Sequence, residues 1–248
     1  DIKNFRQKGS KTPGHPEFGE TVGVEATSGP LGQGIGNAVG MAVSEKMSEA
    51  AFNTPEFKIF DHKIWCLAGD GCMQEGIAAE AAAFAGVQKL GNLVLMYDSN
   101  DVTLDAMADK TMTEDTAKRF EAYGWEVSKC NGHDIDAIRK ALTAARDSAS
   151  DKPKLVIFKT TIARGIPEVE NSAKGHGEGG AKFADAARRG LGLPEEKFFV
   201  SKATYEYFGK ALERRAQARK EWDELFAKWQ RANPELAAKL DKCVNKKK

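Results

Sequence analysis

Apolar positions along the chain follow two different periods. From Leu31 to about Ala51 they recur at helical spacing, with Ile35, Val39, Met41, Ala42 and Met47 giving a mostly apolar face. Ile64–Ala68, Leu93–Tyr97 and Leu155–Phe158 are instead short continuous apolar runs, the mark of strands buried on both faces, and Trp125–Ser128 reads as a further strand. Between them lie an alanine-rich helical stretch from about Met73 to Leu90, a helix from Glu114 to Tyr123, and an amphipathic helix from Asp134, its N-cap, to Ala149. Strands alternating with helices predict an α/β fold, a parallel sheet with helices on both faces. Ahead of Leu31, glycines and prolines cluster around Pro13-Gly14-His15-Pro16 and predict irregular backbone. From Lys202 to Leu240 charged residues and alanine dominate, with Trp222, Leu225, Phe226 and Trp229 at helical spacing, so the sheet domain is followed by a C-terminal helical extension.

The 248 residues are 41% hydrophobic, enough for a full core in one or two domains. Basic and acidic residues number 37 and 36, and a net charge of +1 creates no field that would collect nucleic acid or an anionic membrane. No apolar run approaches the roughly 18 residues of a membrane span. Cys66, Cys72, Cys130 and Cys243 form no CxxC pair and no zinc spacing, so reduced thiols in a cytoplasmic protein are expected. The opening Asp1-Ile2-Lys3-Asn4 has neither an initiator Met nor a signal peptide's apolar stretch, and reads as part of a longer protein. Lys246–Lys248 reads as a solvated tail.

Candidate chemistry gathers at predicted strand ends, where parallel sheets bind ligands. Gly69-Asp70-Gly71 follows the first strand; such a turn leaves backbone N–H groups uncovered, so a phosphate oxygen can come close. Asp70 offers one hard carboxylate oxygen to a divalent cation, and Asn100, after the second strand, offers a neutral amide oxygen. With a backbone carbonyl this leaves positions open for diphosphate oxygens and water, as magnesium prefers. Asp98 and Asp101 are competing ligands. Alone, a GDG triplet is more often a simple turn; the strand before it, the helix after it and the later Asn give it weight. Gly29-Pro30-Leu31-Gly32-Gln33-Gly34 enters a helix whose N–H groups either face an anion or merely pack closely.

The layout resembles the thiamine diphosphate signature, GDG followed some thirty residues on by Asn. His15-Pro16-Glu17, Gly29 to Gly34, Gly69-Asp70-Gly71-Cys72-Met73-Gln74-Glu75-Gly76, Lys89-Leu90-Gly91-Asn92-Leu93, Tyr97-Asp98-Ser99-Asn100 and Phe120-Glu121-Ala122-Tyr123-Gly124-Trp125 together resemble transketolase, in order, over most of residues 8 to 180. The resemblance implies a thiamine diphosphate-binding fold. Residues 1–200 would be the diphosphate-binding domain without its first segment, and 201–248 a helical linker toward a pyrimidine-binding domain not present here. It also implies transfer of a two-carbon ketol unit between sugar phosphates, as in the pentose phosphate pathway and Calvin cycle, by a homodimer or with a complementary pyrimidine-domain chain.

Carried over by position, Asp70 and Asn100 match the side-chain metal ligands and Val102 a backbone-carbonyl ligand, for Mg2+ with Ca2+ or Mn2+ as substitutes. Gly69 matches a diphosphate contact, Gly29 and Leu31 contacts to the aminopyrimidine and thiazolium, and Ile162 a further thiazolium contact. His15 matches a catalytic histidine at the donor's hydroxyls and His176 one that reaches the diphosphate and reacting centre. Glu75 and Glu80 match the dimer interface, where buried carboxylates share protons. The sequence departs from the family after His176-Gly177, with Glu178-Gly179-Gly180 where many members have Ala-Pro-Leu. His62 and His133 read as surface or structural residues. On this reading the chain alone is catalytically silent. The competing readings are a dihydroxyacetone synthase, the N-terminal subunit of a split transketolase, and a non-catalytic assembly module.

Overall fold

The structure is a computed structural model that describes residues 1–176 and 180–245. Lys246–Lys248 lie outside the described residues. The chain forms two compact units, one of residues 1–43 and 63–198, the other of residues 44–62 and 199–248.

The first unit is built on four parallel strands in the order β1-β2-β4-β3, with β1 at Ile64–Gly69, β2 at Leu93–Ser99, β3 at Glu126–Asn131 and β4 at Lys154–Lys159. One face carries Cys66, Ala68, Leu93, Leu95, Tyr97, Leu155 and Ile157. They pack on helices α1 (Gln33–Phe52), α3 (Gly76–Val87) and α4 (Thr116–Ala122). Alanines at 78, 82 and 85 bring α3 close to the sheet. The opposite face carries Val94, Met96, Val156 and Phe158 under the amphipathic α5 (Ile135–Asp147), whose N-cap Asp134 accepts the N–H groups of Asp136 and Ala137. That helix layer covers β2 to β4 and not β1, so Trp65 and Leu67 are 40% and 70% exposed. The first strand is therefore half-buried rather than buried on both faces, because it is the sheet edge.

Two other expectations are corrected. The alanine-rich stretch is two helices, α2 (Asp70–Gln74) and α3, because Glu75 is extended (ψ 136°) and interrupts the ladder. Met47, assigned to the apolar face of α1, is 67% exposed. Residues 1–29 are irregular apart from one 3-10 turn, as their glycines and prolines require. A further helix, α6 (Gly180–Gly190), lies late in this unit.

The second unit joins the end of α1 and residues 53–62 to α7 (Lys202–Ala232) and α8 (Pro234–Val244). The aromatic stripe of α7 is its core: Trp222 stacks on Phe226 at 5.0 Å and Phe226 on Trp229 at 5.4 Å. Trp229 is fully buried against Phe52 and Ile59, and its Nε1–H donates to the Phe52 carbonyl at 3.0 Å. The helical extension breaks at Asn233 because Pro234 cannot continue the ladder and instead opens α8.

Trp229→Ala should cost the second unit about 3–5 kcal/mol, read by urea unfolding, since it empties the largest buried site and removes a donor. All four cysteines are free, and burial pushes the Cys66 thiol from 9.0 up to about 11. Iodoacetamide at pH 8 should therefore modify the exposed Cys243 and spare Cys66 in the folded protein. Keeping this thiol neutral should stabilise the fold at neutral pH, and that contribution should fade as pH rises from about 9 toward 11.

Candidate functional site

Parallel pairing puts Gly69 of β1 opposite Asp98 of β2, so the segments leaving the two strands emerge side by side. Asp70 opens α2 directly from β1, and its side chain is 2% exposed. A buried carboxylate needs donors. Tyr97 Oη donates to Oδ1 at 2.6 Å, and the N–H groups of Asn100 and Asp101 donate to Oδ2 at 2.9 and 3.1 Å. Asp101 makes this possible by taking φ +64°, a left-handed conformation that aspartate tolerates, and two consecutive N–H groups converge on one oxygen. All three donors are neutral, so they satisfy the oxygens without balancing the charge. Burial first, and then the bond to Asp70, pushes the Tyr97 hydroxyl well above its ordinary value, so it remains a donor.

Asn100 is held from the other side. Its Nδ2 donates to Asp98 Oδ2 at 3.3 Å, and its Oδ1 accepts the Val102 N–H at 3.1 Å. The other oxygen of Asp98 accepts the Thr160 hydroxyl, and Asp101 pairs with Lys159. Both competing ligands are thus already engaged. Val102 bridges Met107 through the bonds Ala108 N–H to Asp101 carbonyl and Thr103 N–H to Ala106 carbonyl, which leaves the Val102 carbonyl out of the ladder.

The 29–32 loop lies over the start of α2; the Asp70-Gly71 segment, expected as a turn, is the first part of a helix. A Cβ on Gly71 would stand 3.0 Å from Leu31 Cδ1, and one on Gly29 would stand 3.4 Å from the exposed His15 ring. Gly32, at φ +79°, allows the loop to close: a Cβ there would meet Glu75 Cβ at 2.8 Å and Ile77 Cγ2 at 2.9 Å. Gly69 instead faces open space. Ile162 shares a largely apolar cavity of about 490 Å³ with Asn100, Asp98 and Thr160. Its carbonyl accepts the Asn171 N–H, and its Cγ2 lies 3.4 Å from the Cβ position of Gly175, beside His176.

The fold therefore gathers Gly69, Asp70, Asn100 and Val102 with Leu31, sets His15 on Gly29, and brings Ile162 to Asn100. His176 is exposed and belongs to the Ile162 loop; the contacts of the described residues do not tie it to Asp70. Gly177–Gly179, which include most of the departure from the family pattern, lie outside the described residues. Glu75 and Glu80 are exposed. His133 is structural, its Nε2 accepting the Thr161 N–H at 2.8 Å. Sequence reasoning missed Tyr97, and it weighed Asp98 only as a ligand; strand alternation sends the two to opposite faces, but no local signal marked the Tyr97 bond to Asp70. Gly32→Ala should lower stability by about 2 kcal/mol or more, read by thermal unfolding, because it adds left-handed strain to two contacts under 3 Å.

All of residues 1–248 match the family described as transketolase, thiamine diphosphate binding domain. The chain is 60% identical over 242 residues to a transketolase of Physarum polycephalum, covering 97% of this chain and 37% of that protein. It is 55% identical over 247 residues to a transketolase of Dictyostelium discoideum, covering 99% and 37%. Among solved structures, a Campylobacter jejuni transketolase matches with TM-score 0.88 and 42% identity over 98% of this chain and 37% of that one. A Pichia stipitis transketolase in complex with sedoheptulose-7-phosphate matches with TM-score 0.91 and 37% identity over 97% and 36%. The chain thus spans little more than a third of the length of these relatives. With this sheet and a family match over its whole length, the chain belongs to the transketolase thiamine diphosphate-binding domain family.

Proposed function

We propose that the chain supplies the metal–diphosphate half of a transketolase active site, which moves a two-carbon ketol unit from a ketose phosphate to an aldose phosphate. The observation that carries this reading is the buried Asp70 carboxylate, whose hydrogen-bond donors among the described residues are neutral and include the backbone of Asn100, the residue whose Oδ1 accepts the Val102 N–H. A buried carboxylate with unbalanced charge is costly, and a divalent cation relieves that cost.

The donor set fits such an ion. A carboxylate has about four acceptor positions; Tyr97 takes one on Oδ1 and the two N–H groups fill Oδ2, which leaves one direction on Oδ1. Asn100 Oδ1 likewise keeps a lone pair beyond its bond to Val102. One anionic and two neutral oxygens suit Mg2+, with Ca2+ or Mn2+ as substitutes, and leave coordination positions for diphosphate oxygens and water. The open space at Gly69, which a Cβ would fill, suits the diphosphate itself.

Thiamine diphosphate, when bound, supplies the thiazolium carbon that carries the two-carbon unit. The chain's own residues bind and orient. Gly29 and Leu31 would hold the aminopyrimidine and thiazolium, and Ile162 would offer an apolar wall. His15 is exposed beside Gly29, free to hydrogen-bond donor hydroxyls, and His176 is assigned to the diphosphate and reacting centre. Sugar phosphates as substrates are supported by the Pichia stipitis complexes with fructose-6-phosphate and sedoheptulose-7-phosphate. The exposed Glu75 and Glu80 are assigned to an interface with a second subunit, in a homodimer or with a chain carrying the pyrimidine-binding domain. Among the described residues no helix is long and apolar enough to cross a membrane. Four free thiols suit the cytoplasm.

Magnesium and thiamine diphosphate together should raise the melting temperature, whereas either alone should do so much less. At a hundredfold excess over Kd the gain is about 2.7 kcal/mol. Asp70→Ala should abolish the joint shift, and a well-folded protein that shows no joint shift would contradict the assignment.

A further inference from the structure

We infer that Tyr97 and Asp98, neighbours on β2 that face opposite sides of the sheet, are the positioning residues of the metal site, Tyr97 setting Asp70 and Asp98 setting Asn100. The inference rests on the reading of Asp70 and Asn100 as ligands.

A carboxylate can present either oxygen and several lone pairs to a cation. The turn N–H groups of Asn100 and Asp101 fill Oδ2, and the Tyr97 hydroxyl at 2.6 Å fills one side of Oδ1. Only one direction is left, so Asp70 binds through a single oxygen along a fixed line. Remove the hydroxyl and Oδ1 has two open directions and a side chain free to rock about its Oδ2 anchor. The amide of Asn100 has a different ambiguity, since its oxygen and nitrogen can exchange places. Asp98 resolves it: a carboxylate only accepts, so it holds Nδ2 at 3.3 Å and turns Oδ1 away, toward the Val102 N–H. Asp98 is in turn fixed by the hydroxyl of Thr160, the residue that follows β4. Each ligand thus has one prop, and the two props reach it from opposite faces of one strand.

The test measures Mn2+ binding by electron paramagnetic resonance in the full-length protein at saturating thiamine diphosphate, for Tyr97→Phe, Asp98→Asn and a control. Tyr97→Phe deletes only the hydroxyl. Asp98→Asn keeps the shape but can donate to Asn100 Oδ1 and so permits the flipped amide. The control, Trp125→Phe, removes a different buried bond from the same core, from Trp125 Nε1 to the Ala82 carbonyl at 2.8 Å. The two site variants should each raise the Mn2+ Kd about 10- to 100-fold, with metal-free melting temperatures no lower than that of the control, which should bind Mn2+ as the wild type does. Wild-type Mn2+ affinity in both variants, alongside lost affinity in Asp70→Ala, would overturn the inference and leave the ligand assignment standing. So would an equal loss in the control. Wild-type affinity in Asp70→Ala would overturn the ligand assignment, and the inference with it. If Tyr97→Phe fails to fold, Asp98→Asn at its partly exposed position decides the matter.

Discussion

The Asp70 carboxylate, 2% exposed at the junction of β1 and α2, constrains everything around it. A charge taken that far from water must be met by donors, and here they come from one strand and the turn that follows it. That strand is β2, paired with β1 so that Tyr97 lies opposite Ala68 and the turn after Ser99 reaches back over Asp70. The left-handed backbone of Asp101 follows from the same demand, because it aims two consecutive N–H groups at one oxygen. Neutral donors satisfy the oxygens but not the charge, and one direction on Oδ1 is left beside the Tyr97 hydroxyl.

The rest of the first unit holds that arrangement in register. Small residues let α3 sit close on the sheet, and Gly32 lets the 29–32 loop close on Glu75 and Ile77, which brings Leu31 over Gly71. On the opposite face α5 covers β2 to β4, and Thr160 delivers its hydroxyl to Asp98. The second unit has its own logic. Three stacked aromatic rings of α7 and two indole donors, Trp222 to the Ile59 carbonyl and Trp229 to the Phe52 carbonyl, tie it to residues 52–60.

What could be read from the sequence was whatever a local signal marks. Continuous apolar runs marked three of the four strands, Asp134 marked a helix start, and Gly69-Asp70-Gly71 with Asn100 marked the centre of the proposed site. The exposure of Trp65 and Leu67 was hidden, since an apolar run looks the same at a covered strand and at an edge. The break at Glu75 was hidden too, because the alanines that follow it favour helix and Met73 and Gln74 before it suit the same helix. Glu75 packs there against the backbone of Gly32, more than forty positions earlier in the chain, a contact that no local pattern marks. Tyr97 was legible only as a strand residue. Its bond to Asp70 depends on the pairing of β1 with β2, and no periodicity within either strand encodes that pairing.

The central claim is that Asp70, Asn100 and the Val102 carbonyl together hold one divalent cation. Anomalous diffraction at the manganese edge, on crystals of the full-length protein grown with Mn2+ and thiamine diphosphate, tests it most directly. The account expects one peak within bonding distance, about 2.0–2.3 Å, of Asp70 Oδ1, Asn100 Oδ1 and the Val102 oxygen. A peak on Asp98 or Asp101 instead, with Asp70 still bound only by its three neutral donors, would contradict it.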